Sequence, residues 1–390
     1  MKIREAIFVF LSLAFFVSLL IPQDGETIPA FARRYKISCT TCHAPIPKLK
    51  PYGEEFASNG FVIPKEEKER DYVTAGDNLL WLNRTFPIAV RFDAYAVYEQ
   101  DQEVDKDIET PWGVKLLSGG PLYHNIGYYF YFYLSERGEV AGIEDAYVQF
   151  NKVLGSNLAI MAGQFQTSDP LMKRELRLTF EDYQIYKTKI GESGIDLTYD
   201  RGLMFGYGVE QTGTDLVAMV VNGNGKGEAD SLGKFDNDNF KNFGFRIKQG
   251  IGGIASLGGF VYYGQERYIG ETEKNKVTYL GPDLNFTLGK LEFTGQYLHR
   301  KDTHPLPGAH DVETNGIVAE LILAPQKDKS RFYLIGLYNY VDSDLDFDDY
   351  ESATLSGTYL VARNLRLVGE FTRNIKREKN QVVIGFVSAF

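Results

Sequence analysis

Residues 88–98 read IAVRFDAYAVY, and this stretch decides the fold class because its side chains alternate in character. Even-numbered positions hold Ile, Val, Phe, Ala, Ala and Tyr, whereas Ala89, Arg91, Asp93 and Tyr95 lie on the other side. A period of two is that of a β-strand, whose successive side chains point to opposite faces. The stretch therefore predicts a strand with one face toward lipid and the other toward a wet lumen.

The same alternation recurs along the chain, for example in residues 125–134, 283–288 and 365–372. The pattern predicts about 18 candidate strands after residue 85. Because bacterial single-chain barrels have an even number of strands, we predict an antiparallel barrel of 16 to 18 strands. Alternation alone would also suit a soluble β-sandwich, so closure of the sheet has to be argued from other features.

The lengths of the connections favour a closed membrane barrel. Short turns at residues 289–290, 325–330 and 363–364 alternate with long polar loops at 222–241, 301–314 and 342–351. Outer-membrane barrels have short periplasmic turns and longer outer loops. Val382, Ile384, Phe386 and the terminal Phe390 share one parity and resemble the C-terminal signal of such barrels. We predict an all-β transmembrane outer-membrane β-barrel over residues 71–390, with both ends on the periplasmic side.

Composition excludes other classes of protein. The 390 residues include 25 Tyr, 27 Phe and 39 Gly, and the mean hydropathy of −0.25 excludes a bundle of membrane helices. A formal net charge of −10 argues against nucleic acid as a partner, since phosphates require a basic surface.

Residues 1–27 are typical of an export signal. Lys2 and Arg4 precede an uncharged apolar run at residues 6–21, which stops at Pro22. This pattern predicts a signal peptide that is cleaved between residues 23 and 32. A retained membrane anchor is the alternative, although the run is short for a span.

Both cysteines of the chain lie in the motif Cys39-Thr40-Thr41-Cys42-His43. In an exported protein this spacing predicts covalent attachment of one c-type haem by the two thiols, with His43 as the proximal iron ligand. A redox-active or accidental dithiol is the alternative. Zinc is disfavoured, because no second Cys or His pair lies nearby.

Apolar residues follow the motif at helical spacing. Ile46, Leu49, Tyr52 and Phe56 are separated by three, three and four residues, and Gly60 stands where a helix would stop. We predict a short amphipathic helix that covers one haem face or packs only on protein. A segment this small rarely encloses a ligand alone, so the rest of the protein must supply the remaining wall.

Residues 28–61 resemble the opening of a known family. The matching pieces are IPAFARRY at residues 28–35, the CTTCH motif, PKL at 47–49, YGEEF at 52–56 and GF at 60–61. They resemble the fused monohaem cytochrome-porins, a family that includes outer-membrane iron-oxidising cytochromes. The resemblance implies a haem c segment at residues 28–70, joined to a barrel that holds the haem in its lumen or at its periplasmic side. Cys39, Cys42 and His43 would bind the haem.

The resemblance also implies a function. We expect an outer-membrane c-type cytochrome that passes electrons between periplasmic soluble cytochromes and an extracellular redox partner, for which the family suggests ferrous iron. Activity as an iron:cytochrome oxidoreductase stays open. Two alternatives remain: a diffusion porin for small solutes whose haem segment is a plug or sensor, and a soluble periplasmic β-sandwich cytochrome.

The sixth iron ligand has no motif. Met161 and Met204 are predicted on the lumen side of their strands, and Met161 is the preferred candidate. The charges predicted in the lumen mix both signs, which suits pairing around a plug as well as an ion-selective pore; they are Arg91, Asp93, Asp196, Glu292, Glu320, Arg366 and Glu370.

Overall fold

The computed structural model describes residues 30–63, 72–73, 82–83, 87–168, 171–236, 238–268, 273–306 and 310–390. The predicted signal peptide at residues 1–27 and its cleavage site up to residue 29 lie outside these ranges, as do residues 64–70 of the predicted haem segment. Of the helices in the described ranges, none has the length and hydropathy that a membrane crossing requires.

The described ranges contain four short α-helices and eighteen β-strands. The helices are α1 (Ala30–Tyr35), α2 (Cys39–Cys42), α3 (Pro51–Ser58) and α4 (Gln184–Lys187). Strands β1 (Tyr72–Val73) and β2 (Leu82–Asn83) pair only with each other. The other sixteen strands are β3 (Ile88–Glu99), β4 (Lys106–Tyr123), β5 (Ile126–Glu136), β6 (Gly142–Phe150), β7 (Leu158–Gln166), β8 (Tyr199–Val209), β9 (Thr214–Val221), β10 (Asn242–Ile251), β11 (Ala255–Arg267), β12 (Lys274–Leu288), β13 (Leu291–Asp302), β14 (Val312–Leu323), β15 (Phe332–Ser343), β16 (Tyr350–Ala362), β17 (Leu365–Asn374) and β18 (Lys379–Ala389).

These sixteen strands form one closed antiparallel barrel. Each strand pairs with the next in sequence, and β18 pairs with β3 to complete the ring, with Val383 opposite Val97. The predicted fold class is confirmed, at the lower of the two predicted strand numbers. Closure removes every free sheet edge, which a soluble sandwich would leave exposed.

The predicted parity of the strands is also confirmed. Apolar side chains such as Phe286, Leu367 and Ile384 face outward and are exposed on the barrel, whereas Asp93 on the inner face is 0% exposed. An apolar belt around a closed barrel is the surface that lipid covers.

The connections divide the barrel into two ends. The turn end carries short connections, among them residues 289–290, 324–331 and 363–364, and also holds the start of β3 and the end of β18. The loop end carries the long connections at 222–241, 303–311 and 344–349. This arrangement agrees with the predicted alternation of turns and loops.

A connection that the sequence did not reveal folds into the barrel. Residues 167–198, here called the inward loop, join β7 to β8 and include α4 and a 3₁₀ turn at Arg174–Leu176. Glu370 of β17 accepts hydrogen bonds from the backbone N–H groups of Phe180 and Glu181 at 2.8 Å. Arg300 of β13 donates to the Ile195 carbonyl at 2.9 Å. Asp196, one of the charges predicted in the lumen, lies on this loop.

The inward loop packs the middle of the barrel. Tyr186 of the loop and Val318 of β14 are both 0% exposed, and one apolar cluster joins loop residues to the inner faces of several strands. A water-filled pore would leave such side chains exposed. The inward loop therefore fills this part of the described lumen.

The N-terminal residues 30–63, here called the haem-motif segment, dock at the turn end. Lys48 forms ion pairs with Glu292 at 2.9 Å and Glu320 at 3.3 Å, both on the barrel wall. Phe61 stacks on Tyr129 of β5, with ring centroids 5.1 Å apart. Of the two arrangements that the lumen charges suit, Glu292 and Glu320 thus show pairing with a docked segment.

The helix predicted from Ile46 onward is shorter than expected. It begins at Pro51, because Lys50 precedes a proline and is held in an extended conformation, with φ −85° and ψ 166°. Ile46 and Leu49 lie in the turn before α3 and still face inward, whereas Tyr52 is exposed on the helix surface. The pattern identified the apolar side correctly but not the start of the helix.

Candidate haem-binding site

Helix α2 presents the two cysteines on one side of a single turn. The Ser38 side chain accepts a hydrogen bond from the Thr40 N–H and caps the helix, and the His43 N–H donates to the Cys39 carbonyl at 2.9 Å. Serine is a favoured N-cap residue because its hydroxyl satisfies a free N–H of the first turn. Cys39, Cys42 and His43 consequently lie together, and all three line the same cavity.

The ring of His43 is fixed by a backbone hydrogen bond. Its Nδ1 lies 2.6 Å from the Pro47 carbonyl oxygen, to which only an Nδ1–H can donate. Burial lowers the pKa of His43, which favours the neutral imidazole. With the proton on Nδ1, the lone pair of Nε2 is the one available to a metal, as is usual for metal-binding histidines.

The residues after the motif hold α2 and α3 together. The Lys50 N–H donates to the Cys42 carbonyl at 2.8 Å, and the Ala44 N–H donates to the Lys48 carbonyl at 3.1 Å. Gly53 of α3 packs directly on the Cys42 carbonyl, where a side chain would overlap that oxygen. The motif thus lies on a compact turn whose shape depends on a glycine.

The cavity in front of the motif has a volume of ≈ 290 Å³. This is near the lower end of the range for pockets that enclose organic ligands, roughly 300–1,000 Å³. Its walls come from the haem-motif segment, from β3 to β7, from the inward loop and from the region around β17 and β18. The rest of the protein therefore supplies the missing wall, as the sequence predicts.

Aromatic and aliphatic side chains make up the segment's side of the cavity. Phe31 and Phe61 stack with ring centroids 5.0 Å apart, and Phe56 meets Phe31 edge to face at 5.3 Å. Ile46 and Leu49 line the cavity beside them. A wall of this kind excludes water and suits the face of a flat apolar macrocycle.

The opposite side of the cavity is polar. Glu175 of the inward loop accepts hydrogen bonds from Tyr131 at 2.9 Å and from Lys115 at 3.3 Å. Burial would raise the pKa of Glu175, but the charges of Lys115 and nearby arginines outweigh it and lower that pKa to about 2. Glu175 is therefore ionised and belongs to an internal network.

Some buried polar atoms on the cavity wall have no hydrogen-bond partner among the described residues, and Oε1 of Gln166 and Nε of Arg366 are examples. Both residues are nearly fully buried, at 1% and 5% exposure. Such atoms are rare in folded proteins and call for an explanation. A group that occupies the cavity would supply one.

The thiols do not resemble those of a redox dithiol. Burial raises the pKa of the Cys39 thiol. Burial is also the main reason why the pKa of the Cys42 thiol is raised, and the neighbouring Cys39 raises it further. Reactive thiols have a lowered pKa.

No group of three or more His, Cys, Asp or Glu side chains suited to a metal ion occurs in the described part of the chain.

Taken together, these residues fit a c-type haem. Two neighbouring thiols and an imidazole with a free Nε2 share one wall of a largely apolar cavity, and the wall across from them holds unsatisfied polar atoms. Cys39 and Cys42 would hold the haem, and His43 would ligate its iron.

Met161 is not brought to this cavity. It lies on the lumen side of β7, as expected, but packs with Met204 beside the apolar cluster of the inward loop. Among the described residues that line the cavity there is no methionine, and His43 is the only histidine. The position of Met161 gives no support to its role as sixth ligand, which stays a prediction.

Several cavity residues were missed from the sequence. Lys173, Glu175 and Leu176 come from the inward loop, and Arg363 comes from the turn between β16 and β17. Residues 167–198 lack period-two alternation and contain many charges, a signal that could have marked them as a long loop. Nothing in that signal shows that the loop folds inward.

No protein-family model matches the sequence, and no curated protein sequence matches it. Solved structures of outer-membrane barrels do match the fold. An anion-selective porin from Comamonas acidovorans aligns with a TM-score of 0.59 and 11% identity, over 78% of this chain and 99% of the porin. The outer membrane channel DcaP of Acinetobacter baumannii aligns with a TM-score of 0.57 and 12% identity, over 78% and 96%. OmpF of Salmonella typhi, in complex with daunomycin, aligns with a TM-score of 0.56 and 8% identity, over 78% and 97%.

Proposed function

We propose that this protein is an outer-membrane c-type cytochrome that passes electrons across the membrane between an extracellular partner and periplasmic soluble cytochromes. One observation carries the proposal: Cys39, Cys42 and His43 line a largely apolar cavity inside a closed barrel, with Nδ1 of His43 bound to the Pro47 carbonyl. The barrel alone would suggest transport, whereas this site suggests redox chemistry.

The outer membrane is the proposed location. The barrel has an apolar outer belt, and the structures it resembles include barrels described as outer-membrane proteins. The predicted signal peptide would deliver the chain out of the cytoplasm, to the side where haem is attached covalently. With the turn end toward the periplasm, as in other such barrels, the haem-motif segment faces the periplasm.

A covalently bound haem supplies one-electron oxidation and reduction at its iron. The protein's own residues determine how that property is used. Pro47 holds the His43 ring in one orientation, and the wall of Phe31, Phe56 and Phe61 keeps water from that side of the cavity. The inward loop separates the cavity from the loop end, so small molecules from outside would not mix freely with it.

Ferrous iron is the extracellular donor that the family resemblance suggests. The acidic loop at residues 342–351 is the obvious place to look for a ferrous site, but its carboxylates already have internal partners. Asp344 accepts from the Glu313 N–H, Asp348 from the Gly191 N–H, and Asp349 from the Ser343 N–H. The loop therefore serves to pin the loop end, and the choice of iron rests on the resemblance alone.

A diffusion porin with a haem-bearing plug is the second candidate. The solved structures with this fold favour it, because they are described as porins and channels. The packing of the inward loop favours electron transfer instead, since Tyr186 of the loop and Val318 of the barrel wall are both fully buried in that part of the lumen. The two functions predict opposite permeabilities: a porin lets small solutes pass, whereas the electron-transfer protein does not.

The test combines haem attachment with permeability. Wild type, Cys39→Ser and Cys42→Ser are expressed with haem-maturation machinery, and outer-membrane fractions are stained for covalent haem. We expect covalent haem in the wild type, less in each single variant, and none in the double variant Cys39→Ser/Cys42→Ser, because each thiol forms one link. Thr41→Ser, inside the motif but outside the linkage, serves as the control and should keep its haem.

The same purified proteins are then placed in liposomes. For the wild type we expect no sugar uptake, and reduction of the haem by external ferrous iron or by a soluble cytochrome. A wild type without covalent haem would overturn the haem assignment. Free sugar uptake, with a haem that neither reductant reaches, would favour the porin.

A further inference from the structure

Arg366 on β17 is a buried cation without a carboxylate partner. Its side chain is 5% exposed, its Nη1 donates to the Leu178 carbonyl at 3.3 Å, and its Nε has no hydrogen-bond partner. It forms no ion pair with the described residues, although the charge of Asp93 acts on it from a greater distance. A guanidinium in this position is costly to bury, because its charge has no direct partner and not all of its N–H groups are compensated.

Other arginines on the inner face of the barrel differ from Arg366, because each forms an ion pair with an aspartate. Three of them pair with aspartates of the barrel wall at 2.5–2.8 Å: Arg91 with Asp93, Arg246 with Asp283 and Arg300 with Asp302. Barrel-wall arginines of this chain therefore usually have an acidic partner. Arg366 lines the cavity in front of the haem motif, so the space that it faces is where its partner belongs.

The chemistry of the guanidinium selects the partner. Its planar fork of N–H donors matches the two oxygens of a carboxylate. Glu175 on the inward loop is already bound by Tyr131 and Lys115. Asp93, whose charge acts on Arg366, is itself paired with Arg91 at 2.8 Å and with Lys115 at 3.7 Å. An anionic group carried by the occupant of the cavity would give Arg366 a carboxylate of its own.

We propose that Arg366 binds a carboxylate of the molecule in this cavity, and that this carboxylate is a propionate of the haem held at Cys39 and Cys42. The inference rests on the proposed function, since it takes haem as the occupant. It makes Arg366 a binding residue that neutralises the haem's negative side chain. The contrasting role is structural, in which Arg366 only braces the inward loop through Leu178.

The two roles differ in their effect on the haem. A cation beside the haem disfavours the more positive ferric state, so removal of the cation lowers the midpoint potential. Without Arg366 the pKa of the propionate should also rise, and its ionisation would make the potential fall as the pH increases. If Arg366 has only the structural role, correctly folded protein without it should show neither the lower potential nor its dependence on pH.

The experiment uses the full-length holoprotein as wild type, Arg366→Gln, Arg366→Lys and Arg373→Gln. Arg373 is the control, because it lies on the same strand at the loop end, away from the cavity. Covalent haem content is measured first, then the midpoint potential between pH 5 and 9. We expect a lower, pH-dependent potential for Arg366→Gln, and wild-type behaviour for Arg366→Lys and Arg373→Gln.

A second measurement on the wild type covers the case in which Arg366→Gln does not fold. Redox-induced infrared difference spectra report the ionisation state of the propionates directly. We expect ionised carboxylate bands down to about pH 5, because the paired propionate should have a lowered pKa. Bands of protonated carboxyl groups near neutral pH would overturn the proposal.

The outcomes separate this inference from the proposed function. A holoprotein with covalent haem in which Arg366→Gln retains the wild-type potential and pH profile overturns the inference alone. A wild type without covalent haem overturns the proposed function, and the inference with it. If Arg366 bound only an anion from the buffer, its substitution would leave the haem spectra unchanged. This result would count against the inference.

Discussion

At the residue scale, Gly53 determines how closely α3 approaches the haem motif. A Cβ at this position would overlap the Cys42 carbonyl and come within 2.9 Å of Leu49 Cδ2. We expect Gly53→Ala to displace α3, at a cost of roughly 1–3 kcal/mol for overpacking. Because α3 supports Cys42 and carries Phe56 of the cavity wall, covalent haem per protein should fall, as measured from the haemochrome spectrum.

The control for this substitution is Gly369→Ala on β17. A Cβ at Gly369 would meet nothing within 4 Å, so the same chemical change adds no overlap there. Haem content should match the wild type in Gly369→Ala. Equal haem in both variants would mean that the contact between Gly53 and Cys42 does not shape the site.

At the element scale, the inward loop is held in the lumen by a few buried side chains. Glu370 accepts two backbone N–H groups, from Phe180 and Glu181. Glu370→Ala leaves both donors without this partner, at about 1–3 kcal/mol for each buried unsatisfied group. We expect the loop to detach more often, which should raise ion conductance across planar bilayers and proteolytic cleavage within residues 171–198.

The matched control is Glu378→Ala in the exposed turn between β17 and β18. It removes a glutamate side chain from the same hairpin, but one that does not contact the inward loop, so conductance should stay at the wild-type level. An unchanged conductance for Glu370→Ala as well would show that its hydrogen bonds do not keep the lumen closed.

At the scale of the whole molecule, Lys48 joins the haem-motif segment to the barrel. Burial alone would lower its pKa, but Glu320 and Glu292 outweigh it and raise the pKa, so the ion pairs stay charged. Removal of one partner from a buried pair costs about 3–5 kcal/mol, and less here since Tyr183 still donates to Glu320. We expect Lys48→Met to speed hydrogen exchange in residues 39–58, measured by mass spectrometry.

The direction of the pH effect follows from the raised pKa. The stabilisation by Lys48 is complete below the ordinary pKa of lysine and is lost as the pH rises through the raised value. The protection of residues 39–58, taken from the exchange rate relative to that of an unstructured chain at the same pH, should therefore fall in strongly alkaline solution in the wild type. Lys152→Met, an exposed lysine at the same end of the barrel, should exchange as the wild type does. If Lys48→Met also exchanges as the wild type does, other contacts suffice for docking.

Sequence patterns predicted the features that depend on neighbouring residues. Alternation in residues 88–98 identified the lipid and lumen faces, and the 39–43 motif identified Cys39, Cys42 and His43, which line the cavity. The start of α3 was predicted too early, because the apolar spacing from Ile46 carried more weight than the restriction that Pro51 places on Lys50. The choice of Met161 was based on parity alone, and parity says nothing about height along the barrel.

What the sequence by itself determined is the barrel and the spacing of Cys39, Cys42 and His43, since a two-residue period and a five-residue motif are local properties of the chain. Only the tertiary structure decided that residues 167–198 fold inward and that Lys173, Glu175, Arg363 and Arg366 meet the motif across one cavity. The physical reason is that closing the barrel brings together side chains more than a hundred residues apart. Whether a buried charge such as Arg366 has a partner depends on that closure, and no local pattern contains it.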